Sequence, residues 1–188
     1  MRRGLGGPIA LVAAGAVAGV VLGALGGWLW WTWWGPPPTG RIYDTDAGKA
    51  WYPDPFDPGI TRDFGATATY AVVAFGLALV LGLAGAWLAR RHAVAGILAV
   101  LVGAGLGVAA MSLVGQSLSP PDPNSLLASH EVRDVLPGHL HVTGWTPYLA
   151  WPVGAMLAYL VAMVAFPGRP SDRSAPPAQR SAAPAPQG

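Results

Sequence analysis

The feature that most constrains this chain is a set of four apolar runs separated by polar segments. The runs cover residues 8–34, 66–89, 93–115 and 147–166. A transmembrane helix needs roughly 20 mostly apolar residues, because each residue adds about 1.5 Å against a hydrocarbon core of about 30 Å. The interiors of these runs contain no Asp, Glu, Lys, Arg or His. We therefore predict an all-α membrane protein built as a four-helix transmembrane bundle.

The composition of the chain excludes several classes of function. Of 188 residues, 53% are hydrophobic and only 11% are charged, whereas soluble domains are nearer a quarter charged. The net charge of +2 and the lack of a basic stripe argue against a nucleic-acid partner. Spans without ionisable residues argue against a pump, a proton-coupled carrier or an intramembrane protease. The sequence contains no cysteine, phosphate loop, nucleophile elbow or HExxH motif. We therefore predict no cofactor and no enzymatic activity.

The charges between the runs indicate an orientation. Seven basic residues flank one set of span ends, namely Arg2, Arg3, Arg90, Arg91, Arg169, Arg173 and Arg180. The other ends carry four basic residues among eight of the nine acidic ones. Lys and Arg are enriched in cytoplasmic loops, so both termini are predicted to be cytoplasmic in a multi-pass protein of a bacterial cell membrane. The basic start resembles a signal peptide, but the apolar run that follows is about twice the usual length of a signal peptide's hydrophobic region. The first run is therefore predicted to be an uncleaved transmembrane span.

The first run ends in a cluster of aromatic residues. Five of the nine tryptophans stand within seven positions, and three prolines, Pro36–Pro38, follow and end the helix. Tryptophan settles at the headgroup level of a bilayer, where its ring is dry and its N–H is wet. The predicted interface anchors are Trp28, Trp30, Trp31, Trp33, Trp34, Trp145 and Trp151.

Small residues recur every four positions in the spans, which allows helices to approach closely. The first span carries Gly15, Gly19, Gly23 and Gly27 on one face. The other glycines predicted to pack helices are Gly103, Gly107 and Gly154. The glycine face can serve packing within the bundle, or the docking of a homodimer copy or a partner membrane protein on the first span. Membrane lipids are the other predicted partners.

The segments 35–65 and 116–146 are predicted to form a small extracytoplasmic α/β cap. Residues 41–43 and 50–52 are β-prone runs around a turn, which indicates a hairpin. Ser125–Asp134 is predicted to be a short helix capped by Asn124 or Ser125, and Leu136–Thr143 a further strand. The two segments can then join in one sheet. The short connection 90–92 predicts that the second and third spans are antiparallel neighbours, and 167–188 is predicted to be a disordered cytoplasmic tail.

Two histidines in the second outer segment raise a metal hypothesis. His139 and His141 alternate, so a strand would place both imidazoles on one face, and Glu131 could complete a zinc or copper site. The alternative is a pair of half-exposed histidines on an edge strand.

The chain resembles a family of small actinobacterial four-span membrane proteins whose function is uncharacterised. The resemblance is carried by Leu149–Leu160 of the fourth span, by the Trp and Pro exit from the first span, and by the outer segment Gly40–Asp63. It covers residues 4–166. It implies the topology and the cell membrane, and it brings no substrate or catalytic residue.

Three functions are compatible with these observations. The first is a non-enzymatic accessory, scaffolding or envelope-associated protein that presents a small outer domain. The second is a lipid- or small-molecule-binding protein that uses the bundle or the Trp-rich outer rim. The third is an extracytoplasmic metal-dependent enzyme built on His139 and His141.

Overall fold

Four long helices form the body of the protein. The computed structural model describes residues 6–54, 60–90 and 92–166. The helices are α1 (Gly6–Trp34), α2 (Ile60–Leu88), α3 (Ala93–Leu118) and α4 (Ala150–Ala165), the last entered through a 3-10 turn at Thr146–Leu149. All four are long and apolar enough to cross a membrane, which confirms the predicted bundle. The predicted tail 167–188 lies outside the described residues.

The helix ends differ somewhat from the predicted spans. Helix α2 begins at Ile60, before the apolar run predicted from residue 66, and α3 continues to Leu118. Helical hydrogen bonding is satisfied within the segment, so a helix can extend past the apolar residues that cross the lipid. The apolar run therefore locates the membrane-spanning part better than the helix ends.

Helices α1 and α3 form the most extensive contact in the bundle. A β-carbon added at Gly15 would collide with the backbone of Ala99, and one added at Gly19 would collide with the backbone of Gly103. Farther along, Gly23 meets Gly107 in the same way. Partners advance together in sequence, so the two helices run parallel. The glycine face of α1 is thus occupied inside this chain.

Helices α2 and α4 form the second close pair. Gly82 lies against the carbonyl of Ala155, and Gly154 lies against Phe75 and Ala78. These two helices also run parallel. Helices α2 and α3 touch as predicted from their short connection, but less extensively than either parallel pair. The small residues, rather than the loop length, decide which helices pack most closely.

A three-stranded antiparallel sheet stands at one end of the bundle. Its strands are β1 (Thr39–Thr45), β2 (Gly48–Pro53) and β3 (Val135–Pro137), in the order β2-β1-β3. Ile42 pairs with Trp51, and Gly40 pairs with Leu136. The hairpin and the joining of two segments into one sheet are both confirmed. Gly48, with φ of +108°, supplies the left-handed residue of the hairpin turn.

The rest of the cap differs from expectation in two places. The predicted helix at 125–134 is a shorter 3-10 helix, Pro123–Ser129, and its cap is Asp122, whose side chain accepts a hydrogen bond from the Asn124 backbone N–H. The strand predicted over 136–143 stops at Pro137. Beyond it the Gly138 backbone N–H donates to the Pro38 carbonyl and the Leu140 backbone N–H donates to the Ser119 hydroxyl, so the turn after α3 holds the stretch around Leu140.

The cap and the bundle share one core. Leu140 is completely buried and belongs to the same apolar cluster as Trp30, Ala66 and Tyr70 of the helices. The Thr143 backbone N–H donates to the Thr67 hydroxyl at 3.1 Å, which ties the second polar segment to the start of α2. The end of the bundle that carries the sheet is called the cap end below.

Candidate functional site

An open cleft of about 610 Å³ lies at the cap end, where α1 leaves the bundle. One wall is the end of α1 with the prolines that follow it, and the other is the first part of α2. The lining residues are Trp33, Trp34, Pro36, Pro37, Pro38, Thr39, Gly65 and Thr69. Its volume falls within the range of small-molecule sites.

The cleft is shaped by the way α1 ends. The prolines cannot continue a helix because they lack the backbone N–H, and the last bond of this turn runs from the Gly35 N–H to the Trp31 carbonyl at 3.0 Å. The chain then crosses toward β1, which begins at Thr39. Trp33 and Trp34 line the cleft together with Gly65, where an added β-carbon would meet nothing within 4 Å.

The lining combines aromatic rings with uncharged polar groups. Trp33 is 65% exposed and Trp34 is half-buried. The Thr69 hydroxyl donates to the Gly65 carbonyl at 2.8 Å and keeps its lone pairs for another donor. Among the residues that the structure describes, those that line the cleft include no Asp, Glu, Lys, Arg or His. The arrangement suits stacking and neutral hydrogen bonds better than the binding of an ion.

Trp30 holds the wall of the cleft in place from inside the bundle. Its side chain is completely buried, and its indole N–H donates to the Ala66 carbonyl at 2.8 Å. Its ring meets Tyr70 edge-to-face with centroids 5.0 Å apart, and Tyr70 meets Tyr148 in the same way at 5.4 Å. Ala66 directly follows the lining residue Gly65, so this hydrogen bond fixes α2 against α1 at the cleft.

The interface-anchor prediction is wrong for two tryptophans. Trp30 and Trp151 are both completely buried and cannot meet lipid headgroups. The Trp151 ring lies where a β-carbon on Gly107 would stand, and its indole N–H points at the Met111 sulfur at 3.4 Å. Each continues a stripe of small residues, since Trp30 is three positions after Gly27 and Trp151 is three before Gly154. That spacing was the signal in the sequence for their burial.

The other predicted anchors lie nearer the surface. Trp28 and Trp145 are 52% and 70% exposed. Trp31 is half-buried and its ring is tilted against that of Trp34, with centroids 5.7 Å apart. The anchoring role of these residues stays a prediction.

The two candidate histidines are brought together, but outside the sheet. The rings of His139 and His141 are stacked, with centroids 6.3 Å apart and planes 3° apart. His139 Nδ1 lies 2.9 Å from the Pro120 carbonyl, so this nitrogen carries a proton that it donates. The bond joins the stretch after β3 to the turn after α3, as the neighbouring Leu140–Ser119 bond does.

The third proposed ligand, Glu131, has a local place in the cap. Its backbone N–H donates to the Asp134 carboxylate at 2.9 Å. Among residues 6–54, 60–90 and 92–166, no group of three or more His, Asp or Glu side chains is placed to hold a metal ion.

A scan of protein-family models and searches of curated proteins and solved structures found no match to this chain. The resemblance to an actinobacterial family therefore stays a prediction. The four helices, each long and apolar enough to cross a membrane, indicate a multi-pass membrane protein.

Proposed function

We propose that this protein binds an amphiphile with an uncharged polar head at the cleft lined by Trp33 and Trp34, called the Trp33 cleft below. The observation that supports the proposal is the open cleft of about 610 Å³ at the cap end of a membrane-spanning bundle. An amphiphile in the bilayer can place its head among Trp33, Trp34 and Thr69 while its chains stay in the lipid. Indole rings are dry on their faces and polar at the N–H, which suits a head of this kind.

The lining chemistry favours a neutral head over a charged one. Burying a charge without a partner is costly, and the described residues of the cleft wall supply no ionic side chain. It supplies hydroxyls from Thr39 and Thr69 and the indole rings of Trp33 and Trp34. A sugar head, which offers hydroxyls and apolar ring faces, matches these groups.

Native mass spectrometry of the purified protein tests this proposal, with a diacylglycerol carrying one hexose as the probe. We expect the wild type to retain this glycolipid in preference to phosphatidylcholine with the same acyl chains. We expect Trp33→Ala to lose most of that preference, because it removes an exposed ring from the cleft wall. Trp145→Ala is the matched control, since Trp145 is similarly exposed, at 70% against 65%, but is not among the lining residues of the cleft. Equal retention by Trp33→Ala and the wild type would contradict the proposal.

An accessory or scaffolding role is the second proposal, and the outer face of the sheet supports it. Ile42 is buried on one face, so Tyr43 and its diagonal neighbour Tyr52 lie on the other, 43% and 38% exposed with ring centroids 6.0 Å apart. Val135, on the same face, is 56% exposed. Tyrosine is enriched at protein interfaces. A photo-crosslinker placed at Tyr43 is expected to capture one defined membrane protein. Failure to capture a defined protein would count against this role.

A further inference from the structure

A second, smaller groove lies at the end of the bundle opposite the sheet. It has a volume of about 140 Å³ and runs between the last turns of α2 and α4. Ala86, which is 4% exposed, and the half-buried Ala162 keep it open because their side chains are short. Leu83 and Met163 continue it along the two helices. The groove is therefore apolar along the part that faces the membrane interior.

The mouth of the groove is different, because it carries a positive charge. Arg90 follows the last turn of α2 and lines the groove together with Trp87 and Phe166. The two aromatic side chains are 64% and 68% exposed. Arg90 forms no ion pair with any described residue, and the ion pair of the described chain, Arg41–Asp54 at 2.7 Å, lies at the cap end. Arg90 is thus an exposed cation beside an apolar groove.

We propose that this groove binds an anionic phospholipid. One acyl chain would lie along Leu83, Ala86 and Met163, and the phosphate would pair with the guanidinium of Arg90. Basic pockets between membrane helices bind anionic headgroups in this way, and a planar guanidinium donates two parallel hydrogen bonds to a phosphate. A free anion would gain nothing from the apolar groove, whereas a phospholipid uses both parts of it.

This site is independent of the Trp33 cleft. The two lie at opposite ends of the bundle, and their described lining residues differ in charge: those of the cleft are all uncharged, whereas the groove has Arg90. They should therefore select different lipids, and the loss of one should leave the other intact.

Native mass spectrometry with phosphatidylglycerol and phosphatidylcholine of identical acyl chains tests the proposal. We expect the wild type to bind phosphatidylglycerol about fivefold more tightly, which corresponds to one surface arginine. We expect Arg90→Gln to abolish this preference and Arg133→Gln to retain it. Arg133 is the matched control because it is an exposed arginine of the cap, far from the groove.

Two further measurements separate the headgroup from the chain. Ala162→Leu fills the groove and is expected to weaken the binding of both lipids, while excess inorganic phosphate is expected to leave phosphatidylglycerol bound. Equal binding of the two lipids by the wild type, or a preference that survives Arg90→Gln, would overturn the proposal. Displacement of phosphatidylglycerol by inorganic phosphate would also overturn it, in favour of a simple anion site.

Discussion

Trp30 and Trp33 stand three residues apart on α1 and have opposite surroundings. Trp30 is completely buried and bonded to Ala66, whereas Trp33 is 65% exposed and lines the cleft. Three residues correspond to about 300° of rotation in a helix, so the two side chains diverge by about 60° around the α1 axis. The position of α2 beside α1 then decides that Trp30 is buried and Trp33 is exposed. The first ring supports the cleft and the second is available to a ligand.

Replacing Trp30 by Phe should destabilise the bundle while keeping an aromatic ring in place. We expect a loss of about 2 kcal/mol in the free energy of unfolding, from the lost hydrogen bond and the smaller ring. Reversible unfolding in mixed detergent micelles measures it. Trp33→Phe is the control and should change stability by less than about 0.5 kcal/mol. Equal effects of the two substitutions would mean that the Trp30–Ala66 bond does not support the fold.

Residue types alone could not separate the buried tryptophans from the exposed ones. All five in the α1 cluster have the same chemistry, and interfacial anchoring is the ordinary role of tryptophan at a span end. What separates them is the face of α1 on which each tryptophan stands. Gly15 to Gly27 define the face that meets α3, and Trp30 extends that face by one turn. The cleft itself could not be predicted, because it depends on where α2 lies beside the α1 exit.

At the scale of elements, the parallel contact of α1 with α3 depends on backbone approach. The β-carbon of any side chain at Gly19 would collide with the Gly103 carbonyl. Membrane helices gain little from burying apolar surface against each other, so they depend on close packing. A single added methyl group therefore matters more here than on a lipid-facing surface.

Gly19→Ala should lower the stability of the bundle by about 1–3 kcal/mol, the usual cost of overpacking. Its control is Gly105→Ala on α3, because a β-carbon at Gly105 would meet nothing within 4 Å. Helix propensity predicts that this control is neutral or stabilising by up to about 1 kcal/mol. Folded yield and the unfolding midpoint in detergent measure both variants. A stable Gly19→Ala protein that loses only a co-purified partner would support the alternative use of this face.

The elements themselves were largely predictable, and their pairing was less so. Apolar length locates the spans, and the β-prone runs around Asp44–Gly48 locate the hairpin. Leu136 was placed correctly in a strand, but regular pairing ends at Pro137, and Ser119 competes with the sheet for the backbone that follows by accepting from the Leu140 N–H. That competition lies between distant parts of the chain, where local patterns carry no information.

At the scale of the whole molecule, the sheet constrains the topology. Strands β1 and β3 come from different polar segments and pair directly, so both segments lie on the same side of the membrane. The distribution of arginine predicts that this side is extracytoplasmic.

Labelling of single introduced cysteines tests the orientation of the protein in the membrane, since the chain has no cysteine of its own. We expect a membrane-impermeant maleimide to label Asp46→Cys and Ala128→Cys on intact cells. His92→Cys, an exposed position between α2 and α3, should react only after the cells are permeabilised. Labelling of His92→Cys alone in intact cells would show the opposite orientation. Different behaviour of the two cap positions would contradict the shared sheet.

The parallel pairing of α1 with α3 also has a consequence for biogenesis. During synthesis α1 enters the membrane first, yet the helix that covers its glycines is made only after α2 and the following turn. Until then, the glycine face of α1 is open to lipid or to a chaperone. A nascent chain that stops before Ala93 therefore lacks the partner for that face, and the ribosome must complete α3 before the bundle can close.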